Sequence, residues 1–547
     1  MLEDLIYKYA LQNAVKFNGK ANVGSVIGKV ISEMPSSKGK ELAEKVQKTV
    51  EKVNSMTLQQ QMEEINNVAP ELLEKKEQKE KDLFAFLEIK PGTKVTTAFP
   101  PGPEKYPHIG HAKALLVNYE LAKKHDGKFV LRFEDTNPKL VKKEFYKIML
   151  ENFAWLGVKW DKLDYASDYM EKFYQLGEYL IKKELAYACT CEKEAMRAKR
   201  FKGEECNCRL NGPIKNMEMF KEMPKMEEES CIIRLKLDMQ HKNTTMRDPA
   251  IFRIIKDKHA RLGTKYKVWP SYDFQNSIMD GIEGITHRLR SKEFEMRNEL
   301  QRHIQRLLGF KETYIYEFAR FELEGVETKG RIIREKIQNK ELVGWDDPSL
   351  ATLVALRRRG FHPKAIKDFV LSTGLSKTES TLTWDDLIIH NRRVLDKEAK
   401  RFFVVTNHRK IKIKYAPKLS VKAPLHPDNP KMGSRTFKTE EEFYIDDDLK
   451  PRQVYRLMHL FNFKDGEFLS KEHNPELKAK IIHWLPADDK QLIHIEVLMP
   501  DKSVVKGLAE SGVKHLKEDE VCQFERKFFA RLDKKEKTKL IFWYTHQ

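Results

Sequence analysis

The sequence predicts a multidomain chain in which a helical N-terminal region precedes a parallel α/β domain, a further helical stretch and a C-terminal antiparallel β-barrel or pair of barrels. Three observations carry that expectation. The 547 residues leave room for three or four domains, since domains usually run to about 100 to 200 residues. Short β-like runs flank a helical segment soon after Thr93. Beyond residue 401, runs of alternating apolar and polar residues lie between clusters of Pro, Asp and Asn, the pattern of antiparallel strands joined by turns.

The elements follow in order. Residues 1 to about 88 read as helical: Leu5, Tyr9, Ala10 and Ala14 fall at helical spacing, and the charged amphipathic stretch ELLEKKEQKEKDLFAFL closes the region. Within it, NGKANVGSVIGKV looks briefly like a phosphate loop. Val23 stands where the first glycine of such a loop belongs, and Val30 instead of Ser or Thr follows Gly28-Lys29, so a Walker motif is rejected. From Thr93, KVTTAF, HAKALLVNYELAKKH and KFVLRFED read as strand, helix and strand, which makes a parallel α/β unit. A second α/β block covers roughly 263 to 310, and a helical stretch runs from about 346 to 400. RKIKIKY, EEFYI, IIHWL, IHIEVL and KLIFWY supply the strands of the barrel region. No internal repeat has solenoid spacing.

Charge narrows the partners. With 101 Lys and Arg against 82 Asp and Glu the formal net charge is +19, and a polyanion such as nucleic acid is drawn to a surface of that sign. A lysine-rich solubilising surface is the alternative reading. No apolar run approaches the 18 or so residues needed to span a bilayer. The N-terminal MLEDLIYKYALQNAV carries acids at once and lacks the pattern of a secretory signal. A soluble cytoplasmic protein without membrane partners is the expectation.

The chemistry starts at the first strand. After TTAF comes the turn PPGPEKYP, and then His108-Ile109-Gly110-His111 opens a helix. A strand that feeds a helix N-terminus aims backbone N–H groups and the positive dipole end at a phosphate. Gly110 leaves room for close approach of a nucleotide. His108 and His111, three positions apart, share one helix face, where they can meet charge developing on an α-phosphate and pyrophosphate. A bare H-x-x-H equally describes two surface histidines or an incidental metal pair.

The surrounding sequence separates these readings. HIGH in this setting resembles the signature of class I aminoacyl-tRNA synthetases. The longer segments FPPGPEKYPHIGHAKALL, LRFEDTNP, TKYKVWPSYDFQNSIMDGIEGITHRLRSKEF and GWDDPSLATLVALRRRGF, with KYALQNAVKFNGKANVGSVIGK and APLHPDNPKMG, resemble glutamyl-tRNA synthetases of the archaeal and eukaryotic type. The resemblance covers essentially the whole chain.

It implies a domain plan: an N-terminal helical domain (1–88), a doubly wound α/β catalytic domain in two halves (89–186 and 263–345), an acceptor-stem-binding insertion between them (187–262), a helical connector (346–400) and anticodon-binding β-barrels (401–547). It also implies attack of the glutamate α-carboxylate on the ATP α-phosphate, then transfer of the glutamyl group to the terminal adenosine of tRNA. Mg²⁺ accompanies ATP, because phosphoryl chemistry needs charge neutralisation. The family pattern puts His108, Gly110, His111 and Lys329 on ATP, Glu134 beside the α-ammonium group, Tyr272 and Asn276 along the side-chain pocket, and Arg290 opposite the γ-carboxylate. A guanidinium pairs with a carboxylate bidentately and always carries its charge. Glutaminyl-tRNA synthetases tend to have cysteine where Arg290 stands, so glutamate is chosen over glutamine.

Four of the six cysteines fall as Cys189-x-Cys191 and Cys206-x-Cys208. Thiolates clustered this way can complete a tetrahedral Zn²⁺ site, and members of the family often carry zinc in this insertion. Cys231 and Cys522 read as small buried hydrophobes.

Two departures stand out. Where the family usually has an arginine that helps hold the substrate carboxylate, this chain has Ala98, directly after Thr97. Where it usually has a loop resembling Lys-Met-Ser-Lys-Ser, this chain has Gly325-Val326-Glu327-Thr328-Lys329-Gly330-Arg331. Ungapped counting to Trp345 puts the phosphate-gripping lysine on Gly330; treating Thr328 as the replaced serine puts it on Lys329. The alternatives to an active glutamate ligase are therefore a catalytically weakened tRNA-binding paralogue and a glutaminyl-tRNA synthetase.

Overall fold

The structure, a computed structural model, describes residues 2–17, 19–34, 37, 39–69, 72 and 82–547. The helical reading of 70–81 falls, Leu72 apart, outside the described residues. The chain forms two compact units, Met1–Asp82 and Leu83–Gln547.

The first unit contains α1 (Leu2–Lys16), α2 (Val23–Glu33), α3 (Lys40–Asn54) and α4 (Leu58–Val68). Its core joins Ile6, Tyr9, Ala10 and Ala14 of α1 to Val26 and Val30 of α2, Val46, Val50 and Val53 of α3 and Ile65 of α4. The rejected phosphate loop lies largely in α2: Asn22 caps that helix through its side chain, and of the two valines that break the motif Val30 is buried in the core and Val23 packs against it.

The second unit begins with β1 (Thr96–Phe99), α5 (Ile109–Lys124), β2 (Lys128–Phe133), α6 (Lys143–Trp155), β3 (Lys162–Tyr165) and α7 (Met170–Lys182). There the chain leaves the sheet for an insertion made of β4 (Ala186–Cys189), α8 (Lys193–Lys202), α9 (Pro213–Glu222), β5 (Ile232–Leu235), β6 (Ala250–Ile254) and β7 (Val268–Pro270). These four strands pair antiparallel in sequence order. The chain returns through α10 (Tyr272–Glu283), β8 (His287–Ser291), α11 (Asn298–Leu307) and β9 (Tyr314–Phe318). The resulting five-stranded sheet has the order β3-β2-β1-β8-β9 and is parallel throughout.

Strand order reverses between β1 and β8, so a crevice opens at their carboxyl ends, the usual ligand position in open parallel sheets. The pairing there is thin, with Thr97 opposite His287 as the single registered pair. Asn118 of α5 reinforces it by binding both backbone groups of Leu289, at 2.7 and 3.0 Å.

Beyond the sheet lie α12 (Gly330–Gln338), α13 (Leu353–Arg358), α14 (Pro363–Ser372) and α15 (Trp384–Glu398). The remainder is β-rich. A seven-stranded sheet there has Lys400–Phe402 and Val404–Val405 as its two outer strands. These are two halves of one segment hinged at Phe403, so the sheet curls into a nearly closed barrel. A second core around Phe437, Phe443, Phe461 and Trp484 fills the neighbouring strands. Cys231 and Cys522 are both fully buried in apolar clusters, as read from the sequence. Among the described residues no helix is long and apolar enough to cross a membrane.

Candidate active site

The HIGH segment sits at the crevice because β1 ends just before it and α5 begins in it. His108 is the N-cap of α5: its Nδ1 accepts the Gly110 N–H at 3.1 Å, and its own N–H donates to His111 Nδ1 at 3.2 Å. Both imidazoles are therefore acceptors at Nδ1, which leaves Nε2–H as the free donor on each. The rings lie 4.0 Å apart at 61°. Burial, with help from Lys105 and Arg320, lowers the His108 pKa to about 3, and burial beside His108 holds His111 well below the usual histidine range. Both are neutral at pH 7. Gly110 makes room first for His108: a Cβ there would meet its Cε1 at 2.9 Å. The loop is anchored from the GWDDPSLATL segment, where Ala351 O accepts Ile109 N–H at 3.1 Å and Leu353 N–H donates to Pro107 O at 2.8 Å.

The other face of the sheet meets α10. Glu134, just past β2, is largely buried; its Oε1 accepts from Arg132 Nη2 and Gln275 Nε2, both at 3.3 Å, and from Asn276 Nδ2. Its Oε2 is buried without a partner among the described residues. Arg290, 7% exposed, donates to Asn298 Oδ1, leaves Nε and Nη1 without partners, and stands over the Phe294 ring at 5.4 Å. No carboxylate forms an ion pair with it among the described residues. Tyr272 opens α10 next to Phe294, their rings 5.7 Å apart. Asn276 is engaged at both side-chain ends, giving one N–H to Glu134 and accepting from Arg288 Nη1, and so positions its charged neighbours.

Two arginines here escaped the sequence reading. Arg132 is fully buried and pairs with Glu283 at 2.5 Å and Asp280 at 3.0 Å. Arg288 is 1% exposed, ion-paired to Asp280, and its pKa falls to about 9, chiefly through burial. It lies one step along from the Thr97–His287 pair, beside Ala98, which packs on Val130 and Ile285. The pocket that lacks an arginine on β1 thus has a second guanidinium on β8. The signal was available: in HRLRS, charges recur at every second position of a strand inside a parallel sheet, where such strands are normally apolar on both faces.

Between the HIGH loop and α12 lies a narrow crevice of about 10 Å³, lined by Lys105, Tyr106, His108, Glu327, Thr328, Gly330, Ile333, Trp345, Ala351 and Thr352. Tyr106 and Trp345 stack at 5.0 Å across it. Lys329 is the N-cap of α12, with its backbone N–H on Glu327 Oε1 at 2.7 Å; its side chain is exposed and does not line the crevice.

In the insertion, the Sγ atoms of Cys189, Cys191, Cys206 and Cys208 lie within 4.8 Å of one another. The Cys189–Cys206 and Cys191–Cys208 separations are both 3.8 Å. A metal bound by four thiolates at about 2.3 Å gives sulfur–sulfur edges of about 3.8 Å, so the donor set fits a tetrahedral ion. Arg234 Nη1 stands 3.7 Å from Cys206 Sγ and 3.9 Å from Cys189 Sγ, where its charge offsets that of thiolates.

A family model described as the catalytic domain of class I tRNA synthetases (E and Q) matches residues 94–397. Two models of the anticodon-binding domain of the same group match 399–482 and 481–533. The chain belongs to the class I tRNA synthetases of the E and Q group. Over its full length it is 37% identical to the glutamate–tRNA ligase of Methanothermobacter thermautotrophicus and 38% identical to that of Methanocaldococcus jannaschii, each also covered in full. A solved glutamate tRNA ligase from Elizabethkingia meningosepticum aligns over 56% of this chain and 70% of that one, at 17% identity and a TM-score of 0.42.

Proposed function

We propose that this protein is a glutamate–tRNA ligase of the cytoplasm, activating glutamate with ATP and transferring it to the 3′ end of tRNA. Full-length identity of 37–38% to glutamate–tRNA ligases supports the reaction. The observation that carries the choice of amino acid is the pair of unpartnered groups in one pocket: the buried Arg290 donors and Glu134 Oε2. Burying such groups without partners costs on the order of 1 to 3 kcal/mol each, which a zwitterion with a side-chain carboxylate returns on binding. Glu134 holds the α-ammonium group, Arg290 the γ-carboxylate, and Tyr272 the aliphatic stem.

The free α-carboxylate then attacks the α-phosphate in line, and pyrophosphate leaves. The Nε2–H groups of neutral His108 and His111 donate to the charge that builds on the phosphate oxygens. Mg²⁺ bound with ATP neutralises the polyphosphate. A hydroxyl of the terminal adenosine next attacks the mixed anhydride and AMP leaves, while residues 399–533 hold the anticodon. Cys189, Cys191, Cys206 and Cys208 bind Zn²⁺, whose part is structural because four thiolates leave no open position.

Pyrophosphate exchange with glutamate and with glutamine, each with and without tRNA, tests the reading. Exchange dependent on glutamate supports it; exchange with glutamine alone makes the protein a glutaminyl enzyme, and none with either makes it a tRNA-binding paralogue.

A further inference from the structure

Counted without gaps to Trp345, the phosphate-gripping lysine expected of the loop falls on Gly330, which has no side chain. A Cβ built there would stand 3.4 Å from Cδ of Lys105 and 3.8 Å from its Cβ. The Lys105 stem therefore crosses the face of Gly330 from which a side chain would project. Both residues line the crevice that holds His108. Lys105 belongs to PPGPEKYP, a turn tied down at both ends: Pro101 O accepts the Glu134 N–H at 3.0 Å and Pro107 O the Leu353 N–H at 2.8 Å.

The ammonium has no ion pair or hydrogen bond among the described residues; Glu104 acts on it only from farther away. Arg320 and Arg334 add positive charge from two other segments, Arg334 through a guanidinium whose Nε sits 3.1 Å from Gly330 O. Burial and these cations hold the Lys105 ammonium below the ordinary lysine range. Arg320 is ion-paired to Glu293, so Lys105 is the cation on the crevice lining that faces the neutral His108, with Arg334 behind Gly330; the carboxylate on that lining, Glu327, is turned to the Lys329 backbone.

We infer that Lys105 is a catalytic residue of adenylate formation, its ammonium carried across Gly330 to grip the pyrophosphate as it leaves. This rests on the ligase reading above. In the step, a carboxylate oxygen of glutamate bonds to the α-phosphorus while the bond from that phosphorus to the bridging oxygen breaks, and its electron pair departs with pyrophosphate. No proton moves. Lys105 stays charged and neutralises the leaving group, from a proline-pinned turn in place of a loop.

The test is pyrophosphate exchange with glutamate and ATP on the full chain, with and without tRNA. Lys105→Met keeps the stem and removes the charge; kcat should fall roughly a hundred- to a thousand-fold, as for loss of one donor to developing charge, with KM for glutamate nearly unchanged. Lys105→Arg should keep most of the rate, and Lys329→Met should lose less than Lys105→Met. Combining Lys105→Gly with Gly330→Lys should recover activity that Lys105→Gly alone lacks. Near-normal exchange by a folded Lys105→Met, or the large loss appearing in Lys329→Met instead, would overturn the assignment while leaving the ligase reading intact. Absence of exchange in the wild type would overturn both.

Discussion

Arg290 and Arg288 sit two residues apart on one strand, yet their surroundings give them different work. Arg288 is ion-paired to Asp280 and bonded to Asn276, whereas Arg290 forms no ion pair with a carboxylate among the described residues. The substrate γ-carboxylate should therefore depend mainly on Arg290. Truncating one member of a buried charged pair costs about 2 to 5 kcal/mol, so Arg290→Ala should lower glutamate activation by at least about thirtyfold. Glutamine, being neutral, should lose much less. Equal losses in amino-acid-dependent exchange would show that Arg290 is structural. The histidines make a prediction in pH. His108 titrates near 3 when folded and near 6.5 when unfolded, so between those values the unfolded chain binds the extra proton. Its share of stability is intact above pH 6.5 and erodes toward pH 3, by up to about 1.4 kcal/mol per pH unit. Urea unfolding at pH 7, 6 and 5 should show a shallower acid loss for His108→Gln than for wild type; parallel losses would refute it.

At the scale of elements, two junctions are informative. The cysteine site ties the end of β4 to the turn at Asn207–Leu210, so metal removal should loosen the insertion before the sheet. Elemental analysis of protein prepared without chelator should find about one zinc per chain, and chelation should open 187–262 to limited proteolysis; zinc-free protein with a protected insertion would count against it. The second junction is the RRRG segment that closes α13. Arg358 holds Asp533 with two 3.0 Å bonds and lies 4.1 Å over the Trp543 ring, while Arg359 donates to Thr545 O at 3.0 Å. Gly360 has φ +87°, and a Cβ on it would meet Thr545 Oγ1 and Val521 Cγ2 at 2.8 Å. Gly360→Ala forces the barrel away from the connector at a cost of about 1 to 3 kcal/mol. Charging of tRNA, which needs both ends of the molecule, should fall more than pyrophosphate exchange. Equal effects would mean that this contact does not couple them.

For the whole molecule the net charge of +19 makes tRNA binding a matter of counterion release. With on the order of six phosphate contacts, affinity should drop roughly a thousandfold between about 50 and 200 mM salt; a flat salt profile would place recognition elsewhere. The order of domains, the parallel sheet and the barrel strands were legible in the sequence, because hydrophobic period and turn residues are local properties that neighbouring side chains enforce. RKIKIKY and KLIFWY announced strands, and HIGH announced a helix start. The candidate pocket residues and their expected duties were named from motifs, but the neighbours that hold them were not. Asn276 was named as a pocket residue, and its bonds to Glu134 and Arg288 were not foreseen. Ala98 looked like a lost charge, and Gly330 like a lost grip. In each place an arginine or lysine from a distant segment stands beside the gap: Arg288 is 190 positions from Ala98, and Lys105 is 225 from Gly330. The sequence by itself determined which elements form and which chemistry the crevice is built for. Only the tertiary structure decided which cation serves it, because charge acts through space over a few ångströms and the chain order of its carriers has no part in Coulomb's law.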